Sequence, residues 1–224
     1  MINKFRVFTN EAIARRGAAD YMPLASCEYE EVDRMTSFTV KYLDESTWQD
    51  FARLVEKNNG IFGGCWCICY HPREFGRDRT PAQRRDEKEG LVQTGRAHAA
   101  MVYDGEAAVG WCQFGATAEL PGIRHQKAYD SGLTTLPDWR ITCFFVDRGY
   151  RRKGVASAAL SGALKEISRL GGGTVEGYAD DVAGRKVSNS FLHGGIVSMF
   201  EKQGFQRVRK IGMHTWVMLA TIAP

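Results

Sequence analysis

Four basic residues crowd one short turn of this chain, Arg148, Arg151, Arg152 and Lys153, with Gly154 directly behind them. They follow an apolar run of strand length, Ile141 to Val146, which Asp147 to Tyr150 brings to an end. From near Lys153, the residues Ala156, Leu160, Ala163, Leu164, Ile167 and Leu170 recur at helical spacing until Gly171-Gly172-Gly173 stops the pattern. A strand therefore feeds straight into a helix N-terminus. Unpaired N–H groups and the helix dipole favour an anion there, and Gly154 has no Cβ to hold a phosphate off the backbone. The pattern predicts a pyrophosphate cradle. No G-x-x-x-x-G-K-[ST] occurs and no G-x-G-x-x-G follows a strand, so the P-loop and dinucleotide folds are not supported. A second cluster with chemical potential is Cys65-x-Cys67-x-Cys69-x-His71. Three thiols and an imidazole suffice for zinc, but alternate residues of an extended strand point the same way and do not converge on one ion. No metal is expected. Phe62 to Tyr70 reads instead as an apolar segment between two helices.

The elements that must position the cradle are legible on both sides of it. Ser37 to Leu43 alternates like a strand, and Glu45 to Lys57 carries Trp48, Phe51, Ala52 and Val55 at helical spacing. Thr80-Pro81-Ala82-Gln83 combines an N-cap, a first-turn proline and a capping-box glutamine, predicting a helix to about Gln93. Ala97 to Tyr103 and Ala107 to Phe114 are apolar runs joined by Asp104-Gly105, a hairpin signal. After the cradle, Thr174 to Ala179 reads as the parallel strand returned by the crossover helix. Ile196 to Gln203 is a short helix, and Phe205 to Ile211 and Thr215 to Ala220 form a final strand pair. Residues 1–35 read as an N-terminal extension with a candidate helix over Glu11 to Ala19, and 36–224 as one domain.

Composition sets the class. A chain of 224 residues, 44% of them hydrophobic, can bury a full core. A net charge of +4, with lysine and arginine spread along the chain, demands no nucleic-acid partner. No apolar run approaches the roughly 18 residues of a membrane span and no signal-peptide core is present, so a cytoplasmic chain without a membrane partner is expected. Six cysteines, three of them in one short cluster, fit a reducing compartment better than a secreted disulfide framework.

Arg151-x-x-Gly154-x-Ala156, directly after a strand ending in Val146-Asp147, resembles the acyl-CoA signature of the GNAT superfamily of N-acetyltransferases, Gln/Arg-x-x-Gly-x-Gly/Ala. Met199-Phe200-Glu201-Lys202-Gln203-Gly204-Phe205 resembles the family's closing Leu-Tyr-Glu-Lys-x-Gly-Phe, and Val175-Glu176-Gly177-Tyr178 looks like the matching strand of a bacterial subgroup without an agreed substrate. In element order the resemblance covers Thr36 to Ala220. It implies an α/β (α+β) fold whose central sheet is mixed, mostly antiparallel and six- to seven-stranded. Helices cover both faces, and the sheet splits between the strands flanking the acyl-CoA site.

The resemblance further implies acetyl-CoA as acyl donor and a direct attack by a primary amine of a small molecule through a tetrahedral intermediate. Pantetheine would lie along Phe144, Phe145 and Val146, and the pyrophosphate on Arg151, Arg152, Lys153, Gly154, Val155 and Ala156. Phe200 stands where many members carry a tyrosine acid, and lines the thiol pocket in this reading. Glu176 is the first candidate base, with Asp138 and Glu119 in reserve; Tyr178 and His193 are the other candidate catalytic groups. Trp66 and Tyr70 are candidate walls of the acceptor pocket, and a homodimer is a candidate assembly. The alternative is a CoA-binding sensor or interaction protein without transfer activity.

Overall fold

The computed structural model describes residues 38–72, 79–188 and 191–224, all within one unit, Thr36–Pro224. The helix expected over residues 11–19 lies outside the described residues. In chain order the elements are β1 (Thr39–Tyr42), α1 (Trp48–Lys57), α2 (Pro81–Gln93), β2 (His98–Asp104), β3 (Ala107–Ala116), α3 (Gln126–Ser131), β4 (Trp139–Val146), α4 (Val155–Arg169), β5 (Gly173–Asp180), α5 (Val197–Glu201), β6 (Gln206–Lys210) and β7 (Thr215–Ile222). The strands form one sheet in the order β1-β2-β3-β4-β5-β7-β6. Every neighbouring pair is antiparallel except β4 with β5. The fold is the mixed, mostly antiparallel seven-stranded sheet that the motifs implied.

Strand alternation distributes the core over two layers. Ala100 and Val102 of β2, Ile141 and Phe144 of β4, and Val175 and Ala179 of β5 pack against α4 and α5. The intervening residues Ala99, Met101 and Tyr103, with Trp111 and Cys143, pack beneath α1 on Trp48, Phe51 and Val55. Each large apolar side chain buried this way stabilises the fold by about 1.5–3 kcal/mol. Helix α1 starts at Trp48, later than its apolar pattern suggested, because Asp44 Oδ1 accepts from the Ser46 and Thr47 amides and holds a turn there. The capping box of α2 forms as expected: Gln83 N–H donates to Thr80 Oγ1 and Thr80 N–H to Gln83 Oε1. Helix α3 has no counterpart in the sequence reading, since QKAYDS buries only Tyr129 and shows no period.

Two irregularities shape β4. Gln113 pairs with Cys143 but Phe114 with Ile141, so Thr142 is an extra residue that bends the strand. Its parallel ladder with β5 runs from Trp139↔Val175 to Ile141↔Gly177 and then ends, although β4 continues to Val146 and β5 to Asp180. The two strands diverge beyond that point.

Candidate active site

The basic turn begins where Asp147 closes β4. Its N–H donates to Val109 O at 2.9 Å, and its carboxylate accepts from Gly149 N–H at 3.1 Å and from Lys57 Nζ at 2.7 Å. Burial opposes ionisation, yet the Lys57 ammonium and the Gly149 amide hold Asp147 below the usual carboxylate range. These bonds fix one 3-10 turn, Arg148–Tyr150. The chain then passes through left-handed conformations at Arg152 (φ 63) and Gly154 (φ 84) before α4 starts at Val155. Val155 is buried and anchors the helix, while Arg151, Arg152, Lys153 and Gly154 are exposed. A Cβ on Gly154 would meet no protein atom within 4 Å. The space before the first-turn amides of α4 is therefore open, and those amides have no carbonyl of their own helix to bond. A cationic rim, outward amides and an open approach fit a pyrophosphate.

The divergence of β4 and β5 starts after Ile141 and runs toward this cradle at the end of β4, and part of it is filled by the chain itself. Phe144 N–H donates to His193 O at 2.6 Å, and Asp180 N–H to Gly195 O at 3.1 Å. Ile196 bridges Asp180 in parallel fashion. The segment Leu192 to Ile196 thus runs as a strap between the two strands. Its fit depends on glycine, because a Cβ at Gly194 would lie 2.3 Å from Tyr178 O. His193 reaches β4 through its carbonyl, while its ring lies against Phe62 (centroids 5.7 Å) and Tyr70 (6.5 Å). Phe145 and Val146 are half-buried beyond the strap. Phe200 is fully buried on the α4 side, edge-on to Phe144 and Phe205.

On the opposite face, Glu176 and Tyr178 stand together as alternation predicts, joined by residues that the sequence reading did not single out. Tyr129 Oη donates to Glu176 Oε2 at 2.8 Å and Tyr178 Oη to the same oxygen at 3.0 Å. Arg140, buried in β4 opposite Glu176 in register, donates to Tyr129 Oη at 3.3 Å and to Leu120 O at 2.8 Å. Among the described residues no hydrogen bond falls on Glu176 Oε1. Burial, with Glu176 beside it, raises Tyr178 well above the ordinary phenol range, so it stays protonated. Farther along β5, Asp180 accepts from Arg124 Nη1 at 3.2 Å and from Thr215 Oγ1 at 2.7 Å. An arginine inside an otherwise apolar strand was the signal for this network. The reserve candidates lie elsewhere: Asp138 is held by the Thr174 amide and hydroxyl, and Glu119 by the Ala116 amide and His98.

The wall residues part company. Tyr70 lies beside His193 and is buried, whereas Trp66 turns into the layer under α1, tilted on Trp48 and Phe51. The cysteine segment is a series of turns rather than a strand. Cys65 Sγ lies 3.6 Å from Cys69 Sγ, whereas Cys67 Sγ points inward, 3.1 Å from Cys143 Sγ. Among the described residues no group of three or more metal-ligating side chains is placed to hold an ion. Behind this segment, fully buried Lys88 donates to Gln113 Oε1 at 2.8 Å and to His71 Nε2 at 3.2 Å, and Gln113 Nε2 donates to Thr142 Oγ1 at 3.1 Å. Burial brings Lys88 down to about 8. No helix among the described residues is long and apolar enough to cross a membrane.

No curated protein matches the chain. Solved structures similar to it include a histone acetyltransferase HPA2 and related acetyltransferase from Corynebacterium glutamicum (17% identity, 84% of this chain and 97% of that one, TM-score 0.48). Others are NAA60 of Arabidopsis thaliana in complex with acetyl-CoA (15%, 83% and 99%, TM-score 0.46) and the ribosomal-protein-S18-alanine N-acetyltransferase of Escherichia coli (12%, 84% and 95%, TM-score 0.44). The family model described as the acetyltransferase (GNAT) family matches residues 51–183, more than half of the sequence, from within α1 to just past the end of β5. The chain belongs to the GNAT acetyltransferase family.

Proposed function

We propose that this protein transfers an acetyl group from acetyl-CoA to the primary amine of a small molecule. The observation that carries the reading is the juxtaposition of three parts. These are the open cradle at Gly154, the divergence of β4 from β5 that leads toward it, and, in the paired stretch just before that divergence, a carboxylate one of whose oxygens accepts no hydrogen bond among the described residues. Acetyl-CoA supplies an acyl thioester. The α4 amides and the Arg151 to Lys153 side chains bind its pyrophosphate, and the backbone of Phe144 to Val146 orients its pantetheine arm. Phe144 N–H, once the His193 carbonyl has let it go, faces the thioester oxygen and stabilises the negative charge that develops there.

Glu176 takes the proton of the ammonium acceptor through Oε1, while Oε2 stays fixed by the Tyr129 and Tyr178 hydroxyls. Phe200 has no proton to give and sits in the α4-side core, so it keeps the thiol end of the site dry. Tyr178 stays bonded to Glu176 Oε2 and positions that base, so the departing thiolate takes its proton from water. Acidic Glu176 and Asp180 on the acceptor face suit a cationic amine.

The test is a panel of small amines with acetyl-CoA, followed by release of free CoA thiol. Acceptor-dependent release with at least one amine supports the reading. Tight CoA binding without release for any amine overturns it in favour of a CoA-binding module without transfer activity.

A further inference from the structure

The turn between α1 and α2 holds a thiol arrangement that the acyl-transfer reading does not use. Cys65 N–H donates to Ile61 O at 2.9 Å and Ile68 N–H to Cys65 O at 3.0 Å, which curls the chain back on itself. Trp66 (φ 49) and Cys67 (φ 51) are both left-handed, a costly conformation for residues with a Cβ, so the curl is imposed by its surroundings. Its effect is to bring the thiol of Cys69 within 3.6 Å of Cys65 Sγ. Cys69 is exposed and Cys65 partly so, whereas Cys67 and Cys143 are buried.

We propose that Cys65 and Cys69 form a hydroperoxide-oxidisable dithiol, with Cys65 the attacking sulfur and Cys69 the resolving one. The close contact singles out Cys65 as the nucleophile: the Cys69 thiol first, and neighbouring backbone amides after it, bring the Cys65 thiol down to about 6 against the cost of burial, while the same contact and burial push Cys69 up. A thiolate that is accessible and beside a second thiol is the reactive form of cysteine. Fully buried Lys88 lies within electrostatic reach of both sulfurs and adds positive potential.

The chemistry balances with a hydroperoxide as the oxidant. Cys65 thiolate attacks the terminal oxygen, the O–O bond breaks, and the alcohol or water leaves with a proton, so sulfur is oxidised to sulfenic acid as the peroxide is reduced. Cys69 sulfur then attacks Cys65 sulfur, the S–O bond breaks, and water leaves with the Cys69 proton. Two thiols and one hydroperoxide have become a disulfide, an alcohol and water. A small-molecule or protein dithiol restores the pair by exchange. An i to i+4 pair within one turn closes its loop without moving the sheet.

The experiment treats the full chain, first reduced and then freed of reductant, with hydrogen peroxide near stoichiometry, and reads mass and peptide linkage. A loss of about 2 Da, mapped to a Cys65–Cys69 link, is expected. The Cys65→Ser variant should lose that change. The Cys69→Ser variant should instead retain a sulfenic acid that a 1,3-dione reagent captures. Both variants should melt within a few degrees of the wild type, since serine is close in volume and Cys69 faces solvent. The proposal is overturned if the link maps to Cys67–Cys143 or to any other pair. It is also overturned if folded Cys65→Ser is oxidised as fast as the wild type. Neither readout depends on acyl transfer, so the fate of that reading leaves this one standing.

Discussion

Gly154→Ala separates cradle from fold, because the site is strained but uncrowded. At φ 84 and ψ −2 the backbone is left-handed, so a Cβ costs about 1–2 kcal/mol in the folded state. For a domain of this size that lowers Tm by roughly 2–8 °C, which leaves the protein folded at room temperature. No protein atom lies within 4 Å of the added Cβ, so packing contributes nothing further. Everything else falls on the ligand. If the methyl holds a pyrophosphate away from two α4 amides, hydrogen bonds to a charged group worth about 1.5–3 kcal/mol each are weakened. A net loss of about 3 kcal/mol raises the CoA Kd about 100-fold. Titration calorimetry with CoA and, separately, with pantetheine tells this from a general defect. CoA should weaken by that factor and pantetheine, which lacks the pyrophosphate, should not. A folded variant that binds CoA as tightly as the wild type, or that loses both ligands equally, refutes the cradle.

Two further expectations use other parts of the molecule. Glu176→Gln should lower kcat with the best acceptor about a hundredfold while leaving the CoA Kd unchanged, and an unaltered pH–rate profile would remove Glu176 from the role of base. Burial first, and then the Lys88 charge, pull His71 from 6.5 down to about 2, so the unfolded chain binds a proton below pH 6.5 that the folded chain refuses. Stability is therefore lost as pH falls from 6.5, by about 2–3 kcal/mol at pH 4.5, and His71→Gln should flatten that slope in urea melts; parallel slopes for both proteins would contradict it.

The parts of the site that rest on local chain geometry were readable from the sequence. The strand before Asp147, the glycine-led start of α4, the capping box at Thr80 and the turn at Asp104-Gly105 each depend on residues within a few positions of one another. Tertiary contacts were not readable in this way. Tyr129 meets Glu176 across 47 positions, from a six-residue helix with no apolar period. Trp66 and Tyr70 are four residues apart, yet left-handed turns at Trp66 and Cys67 send one under α1 and the other toward His193. The cysteine segment is turned, not extended, so strand alternation does not govern where its thiols point. The sulfurs fail to converge for another reason: the turns aim Cys67 at Cys143 and leave Cys65 facing Cys69.

The strap ties these layers together through a problem that the split sheet creates for itself. Where β5 leaves β4, a strand-central amide such as Phe144 N–H loses the neighbour that a regular sheet provides. Phe144 is buried, and an unmet donor there costs about 1–3 kcal/mol. The His193 carbonyl meets it at 2.6 Å, and glycine at 194 lets the chain pass Tyr178 O, from which a Cβ would lie only 2.3 Å away. On the acyl-transfer reading, a thioester oxygen replaces one carbonyl with another at the same donor. The exchange then keeps the hydrogen-bond count level, and what opposes it is the packing of His193 on Phe62 and Tyr70 rather than the loss of a bond. A donor kept dry and aligned until that exchange needs no reorganisation when charge develops on the acyl oxygen, which is the condition under which a single backbone N–H contributes most to lowering a barrier.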